Sequence, residues 1–484
     1  MYATQNKRTV VVDIGTRYVK CGYAGEGHPR SVFPSSHFNE FGSASKKSLS
    51  VAPESYNGWC AYLSGLFRHV FYRILQCKPR EVNVVVCELV STTDSFRRAC
   101  AFILLERFLV HSIQYFDSLE SSLYVTGSDS GIVVDIGFNE CRVGVVALGY
   151  LCSNSYFEVP AGSKHVLHLL DNVLKLEHEK LYGAGSYVAL SCKSLEEIIS
   201  QVCFCEGIKT SPQLKKSGAR MSEKCAFNVI DINGSSREIE IDDSIRSSIL
   251  DEVFFPSPPD TAKSDSQSTT GFNTENYSRE IIPFGDDLIG AFFKALRSTP
   301  VDNRLNAVRN VILCGGLAEV PGLCNRFAEE VTSAARDLAS TYGSFKACVD
   351  QMHITNTRIV KANIIWAGAS ILGSLNILNE ETYFRHTLSI NEKQKDLSGD
   401  KNHEDLLENT SSNINAKTFQ PHLLTRGKIS ESYIKWQNEL VQISKGIDDM
   451  TTSPEKKTNS RGSALALFAA ARWRRKVDGS KRKF

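Results

Sequence analysis

"VVVDIGTRYVKCGYAG", residues 10–25, is an apolar run that ends in Asp-x-Gly and gives way to a second β-type run. Its opening returns almost unchanged as "IVVDIG" at 132–137, before "CRVGVVALGY" at 141–150. A strand that delivers Asp, one more residue and Gly into a tight turn, followed by a second strand, is a β-hairpin whose tip offers backbone N–H groups. Such tips hold phosphates. An Asp at each tip suits Mg²⁺ held through water, because that ion keeps much of its hydration and needs few protein carboxylates. Either copy alone is a common way to end a strand. Two copies, with Asp13 and Asp135 lying 122 residues apart, imply two similarly folded halves with a cleft between them, the hairpins facing each other across a nucleotide.

The rest of the composition agrees with a globular protein. At 484 residues and 42% hydrophobic, the chain can bury one large core or two ordinary ones. Net charge is +2, but the last thirteen residues, "RWRRKVDGSKRKF", contribute +6 of it and leave the remainder at −4. The body therefore carries no electrostatic footprint for nucleic acid, and only the tail is basic. The fourteen cysteines follow no paired framework, and the lone Cys203-x-Cys205 lacks the second pair a zinc site requires. They read as reduced thiols of a cytosolic protein. The start, "MYATQNKRTVVVDIG", is polar where a signal peptide needs its apolar stretch, and no window supplies about 18 consecutive apolar residues for a membrane span, so neither secretion nor membrane spanning is expected.

Strand-like runs at "EVNVVVCELV" (81–90), 131–150 and "NVILCGG" (310–316) alternate with helical patterns at "SFRRACAFILLERFL" (95–109), "SKHVLHLLDNVLKL" (163–176) and "GDDLIGAFFKALRS" (285–298). That alternation predicts an α/β fold. Residues 257–280 are Ser/Thr/Pro-rich and too poor in large apolar groups to offset ordering entropy, which predicts a mobile surface loop; 391–463 have the same character and begin a disordered tail. The tail's end, "SALALFAAARWRRKVDGSKRKF", joins good helix formers to a basic cluster.

A third element follows the hairpins. In "NVILCGGLAEVPGLCNRFAEEV" (310–331) an apolar strand runs into Gly315-Gly316, and Pro321-Gly322 open an amphipathic helix, leaving bare backbone where a flat base could lie. The three pieces, in this order, resemble the two phosphate motifs and the adenosine motif of the actin, Hsp70 and sugar-kinase superfamily. Within it the resemblance is to actin, over about residues 8–390, through "GHPRSVFPS" (27–35), "WCAYLSGLFRHVFYRIL" (59–75), "SSLYVTGSDSGIVVDIG" (121–137) and "IVKANIIWAGASILGSL" (359–375). It implies a two-lobed fold around a nucleotide-type cleft: 1–130 and 335–390 in one lobe, 131–334 in the other, and 391–484 as tail.

The resemblance also assigns the site and marks its departures. Asp13, Gly15, Thr16 and Lys20 stand at the first phosphate loop, Asp135 and Gly137 at the second, and Gly315 and Gly316 at the adenosine turn, with Asp13 and Asp135 as the candidates for water-mediated Mg²⁺ and ATP or ADP as the candidate cofactor. Yet Arg17 replaces a glycine, and Phe138-Asn139 stand where actin has Asp-Gly. Ser118 occupies the place of the glutamine that orients actin's attacking water, and its hydroxyl is too short for that task. Ile199 and Ser200 replace a Lys-Glu pair beside the ribose. Phosphoryl transfer depends above all on a positioned nucleophile, so the expectation is a protein without ATPase activity.

Shape departs as well. Only 24 residues, Ser35 to Gly58, separate Pro34 from Trp59, too few for the small subdomain 2 that actin builds there. In an actin filament that subdomain touches the next subunit toward the pointed end. "KCGYAGE" (20–26), "SIRSSILDEVFFP" (244–256) and "KANIIWAGASILGSL" (361–375) look most like the actin-related protein 10 family, called 11 in some lineages. The resemblance implies a cytoplasmic, cytoskeletal subunit at the pointed end of dynactin's actin-like filament, with filament and pointed-end subunits as partners and dynein as an indirect one. A nucleotide-hydrolysing actin-like protein, or a chromatin-associated actin-related protein, is the alternative.

Overall fold

The computed structural model describes residues 8–38, 55–208, 224–256, 286–340, 343–375 and 382–384. The segment 257–280 and the tail 391–484 lie outside the described residues, as do 39–54 of the shortened span.

The strands, in chain order, are β1 (Arg8–Ile14), β2 (Tyr18–Tyr23), β3 (Ser31–Pro34), β4 (Val82–Glu88), β5 (Ser112–Asp117), β6 (Gly131–Ile136), β7 (Cys141–Ala147), β8 (Tyr150–Leu151), β9 (Phe157–Val159), β10 (Lys224–Ile230), β11 (Ser236–Asp242), β12 (Val311–Gly315) and β13 (Thr382–Phe384). They form one sheet in the order β13-β5-β4-β1-β2-β3 and another in the order β12-β6-β7-β8, with β9 also on β7; among the described residues β10 and β11 pair only with each other. The repeated sequence is a repeated hairpin. β1 turns into β2, and β6 into β7, each antiparallel. Each first strand also takes a parallel neighbour from later in the chain, β4 beside β1 and β12 beside β6, which requires crossovers through helices. Strands flanked on both sides read as continuous apolar runs, hence Val10–Val12 and Ile132–Val134 at 0% exposure.

Three apolar clusters result. One lies outside the first sheet, around Leu63, Phe67 and Phe71 of the helix Tyr56–Arg68 and its continuation. Another lies outside the second sheet, around Leu170, Phe292 and Phe327. The third contains Val11 and Val85 of the first sheet, Val133 and Ile312 of the second, and Leu119, Leu123, Trp366 and Ile371 from the helices Ser118–Leu123 and Ile364–Ser374. These two helices pack so closely that a Cβ on Gly368 would lie 1.6 Å from the Ser121 carbonyl oxygen. Trp366 is wholly buried, and its Nε1–H donates to the Val11 carbonyl at 3.1 Å. The small-residue pattern "WAGASILG" is thus the seam between the halves.

Two features differ from the sequence reading. The helices that follow β3 and β4 end in π-wound turns, His69–Ile74 and Phe102–Arg107; their apolar spacing suits either winding. And Phe345, Val349 and Ala335 pack in the second sheet's outer cluster, while Ile354 bridges to Val311. The chain therefore stays with the second half beyond residue 335, and returns to the first only with the helix Ile364–Ser374 and β13.

Candidate functional site

Both hairpin tips are built the same way. Gly15 N–H donates to the Tyr18 carbonyl at 3.1 Å, and Gly137 N–H to the Glu140 carbonyl at 3.1 Å. A Cβ on either glycine would press on the carbonyl it bonds, 2.8 Å away at Gly15 and 2.7 Å at Gly137. Asp13 and Asp135 precede these turns, each near the end of its strand. Gly315, beside Ile136 in the register, has φ +101, and a Cβ there would lie 2.1 Å from the Ile136 carbonyl oxygen; on Gly316 a Cβ would meet nothing within 4 Å. The structure thus gathers Asp13, Gly15, Thr16, Lys20, Asp135, Gly137, Gly315 and Gly316 about the ends of β1, β6 and β12.

The charges in this region are matched within the chain. Lys20 Nζ lies 2.8 Å from Asp13 Oδ2. Arg142 reaches Asp135 Oδ2 through Nη1 at 2.9 Å and Glu140 Oε1 through Nη2 at 2.6 Å. Burial acts to lower the basicity of both cations, but the carboxylates outweigh it, and both are held above their ordinary values. Cys314 Sγ sits 3.7 Å from Asp135 Oδ1. Burial first, and then that carboxylate, push its thiol far above the usual range.

Arg17 makes the contact that sequence reasoning missed. Its Nε donates to Glu196 Oε1 at 2.6 Å, and the Tyr18 hydroxyl donates to Glu196 Oε2. The guanidinium carbon lies 5.3 Å from the centroid of the Tyr18 ring and 5.8 Å from that of Phe138, within cation–π range. Glu196 belongs to the helix Cys192–Gln201, which is anchored in the second half's core by Leu195, Ile198 and Ile199. Burial, reinforced by Glu196, pushes the Tyr18 phenol up to about 12. No local pattern announces a pairing across 179 positions.

The groups read as departures have other duties. Ser118 is buried, and its hydroxyl donates to the Glu88 carbonyl at 2.7 Å. Ile199 is core, and the Ser200 hydroxyl bonds the Glu197 carbonyl within its own helix at 3.1 Å. The N-terminus of the helix Ser163–Tyr182 is of the kind that binds anions, but Ser163 and Lys164 N–H donate to the Gly137 and Phe138 carbonyls at 3.0 and 2.8 Å. In this geometry each candidate carboxylate has a side-chain cation and both tip-glycine N–H groups are used within their turns, so a Mg²⁺–phosphate group would have to share Asp13 with Lys20 and Asp135 with Arg142. Among the described residues, no cluster of three or more His, Cys, Asp or Glu side chains is arranged to hold a metal ion. All fourteen cysteines are free thiols.

A duplicated hairpin, a parallel strand beside each copy and two helices in the seam define an actin-type fold. The actin family model matches residues 4–197 and 266–386, well over half the chain, and the protein belongs to that family. Its similarity to individual relatives is low. Actin-related protein 10 of Dictyostelium discoideum is 24% identical over 243 residues, covering 41% of this chain and 50% of its own, so the match spans half the length of that relative. Actin-related protein 2 of Arabidopsis thaliana is 21% identical over 351 residues, 67% of this chain and 81% of the relative. Actin-related protein 4 of Oryza sativa subsp. indica is 20% identical over 439 residues, 78% and 94% respectively. Among the described residues no helix is long and apolar enough to cross a membrane.

Proposed function

We propose that this actin-family chain is a non-catalytic structural subunit that ends an actin-like filament, at the pointed end of the filament in dynactin, and so serves dynein-driven transport in the cytoplasm. The observation that carries the reading is the span from Pro34 to Trp59, whose 24 intervening residues cannot supply actin's pointed-end contact, in a chain that the actin family model matches over residues 4–197 and 266–386. A subunit of this kind docks on a filament end and offers the next subunit little to hold. Its exposed end is then free for other proteins, through interfaces of roughly 800 Å² per partner. The similarity to an actin-related protein 10 supports the same reading.

The loss of catalysis is part of the proposal. The Ser118 hydroxyl, bonded to the Glu88 carbonyl, and Asp135, paired with Arg142, support this part of the reading. Imaging the protein purified with its filament tests the placement. A single copy at the pointed end is expected; a copy at the barbed end, copies repeated along the filament, or self-polymerisation would overturn the proposal. Retention of Asp13, Lys20 and Asp135 favours the alternative, a nucleotide-hydrolysing actin-like protein. That alternative predicts turnover sensitive to Asp135.

A further inference from the structure

The halves meet in the apolar seam around the helices Ser118–Leu123 and Ile364–Ser374, and they also touch through charged and aromatic side chains at the first hairpin. We infer that the chain supplies its own fastening: Arg17 and Tyr18 on the first hairpin, gripping Glu196 on the helix Cys192–Gln201 with the Phe138 ring alongside, form a latch that closes the cleft without a nucleotide. This goes beyond the filament reading and does not depend on it.

Three observations converge on the latch. Both oxygens of one carboxylate are engaged from the opposite half, Oε1 by Arg17 Nε at 2.6 Å and Oε2 by the Tyr18 hydroxyl. The guanidinium is flanked by two aromatic rings, one from each half, and the Arg17 and Glu196 side chains are only 18% and 24% exposed. Finally, the supporting backbone is fixed on both sides. Ser35 N–H donates to the Arg17 carbonyl at 3.0 Å and the Ser35 hydroxyl to the Thr16 carbonyl, while Phe138 is held by Lys164 N–H at 2.8 Å. Opening the cleft gives up both bonds to the Glu196 carboxylate and the stacking of the guanidinium between the two rings. An incoming polyphosphate must compete with Glu196 for Arg17, and it meets Lys20 and Arg142 already paired with carboxylates.

The test uses the full chain, stripped of nucleotide with EDTA and apyrase, and follows thermal unfolding together with hydrogen exchange at residues 15–18 and 194–201. A ligand that binds only the folded state raises its stability by mass action. Stripping the wild type, or adding millimolar Mg-ATP to it, is expected to leave Tm unchanged within about 1 °C, less than the ~2–4 °C that one kcal/mol shifts a domain of 150–250 residues. Arg17→Ala and Glu196→Gln are each expected to lower Tm and to speed exchange on both sides of the cleft. Their combination should do no more than either alone, and the charge swap Arg17→Glu with Glu196→Arg should recover part of the loss. A wild type that loses several degrees on stripping and regains them with Mg-ATP would overturn the latch, as would additive effects of the two variants. The wild-type measurement decides the matter even where a variant fails to fold.

Discussion

Arg142 stands directly across from Asp135 in the second hairpin, seven residues further along the chain, as Lys20 stands across from Asp13 in the first. The repetition that begins with Val-Val-Asp-x-Gly therefore includes the cation, and each half of the molecule carries the same opposed ion pair beside the same glycine turn. Directly opposite residues of an antiparallel pair are close enough to interact. In the second copy the guanidinium also takes Glu140, so one buried cation answers two carboxylates.

Arg142→Ala is accordingly expected to be among the most damaging single changes in the second half. Asp135 and Arg142 are 6% and 8% exposed, so truncation leaves a buried carboxylate without its partner, at about 3–5 kcal/mol. Arg142→Lys is expected to recover only part of the loss, because a lysine cannot span both carboxylates with a fixed fork. Denaturant midpoints of the three proteins check the order.

Gly315, the last residue of β12, and Gly316, the first beyond it, should respond differently. Gly315→Ala puts a side chain at φ +101 and 2.1 Å from the Ile136 carbonyl oxygen, so it should cost at least about 1–2 kcal/mol and shift the end of β12 away from β6. Gly316→Ala meets open space and should stay within about 0.5 kcal/mol of the wild type. Thermal melts of the pair distinguish a conformational requirement from mere sequence resemblance.

Purified protein is expected to release no phosphate from ATP above background over many equivalents. The measurement is a multiple-turnover assay with Asp135→Ala as the control. A rate that the substitution abolishes would restore the hydrolase reading.

Asp251 provides a pH-dependent prediction. Its Oδ2 lies 3.3 Å from Arg326, while its Oδ1 is buried without a hydrogen-bond partner among the described residues. Burial raises its pKa, Arg326 opposes this only in part, and Glu330 and Glu206 add to the rise. A carboxyl whose folded value lies above its unfolded value favours folding only while protonated, so it costs stability at neutral pH and that cost fades as pH falls through the carboxylate range. Asp251→Asn should therefore match or exceed the wild type in urea at pH 7, and the gain should shrink toward pH 4.

What the sequence disclosed was whatever it wrote in neighbouring letters. Both hairpins, β4, β12 and the helix beyond Gly322 follow from apolar runs broken by glycine, since strand period and turn chemistry are local. Arg142 was legible in principle, through the same seven-residue spacing that joins Asp13 to Lys20, but a lone arginine in the run "CRVGVVALGY" reads as an edge charge until the strands are paired. Glu196 was not legible: its partners lie 178 and 179 positions away, and a glutamate on an amphipathic helix has many ordinary uses. The placement of 343–349 failed for a related reason, because Phe345 and Val349 announce burial without saying against which sheet.

Trp366 imposes a timetable on synthesis. Its indole closes on the carbonyl of Val11, 355 positions earlier, and β13 completes the edge of a sheet whose first strand begins at Arg8. At roughly 5–20 residues per second on the ribosome, the first valine strand waits on the order of 20–70 s for the helix that covers its inner face. Throughout that interval the face of β1 destined for the seam lacks the cover of that helix, and a strand made early is finished late.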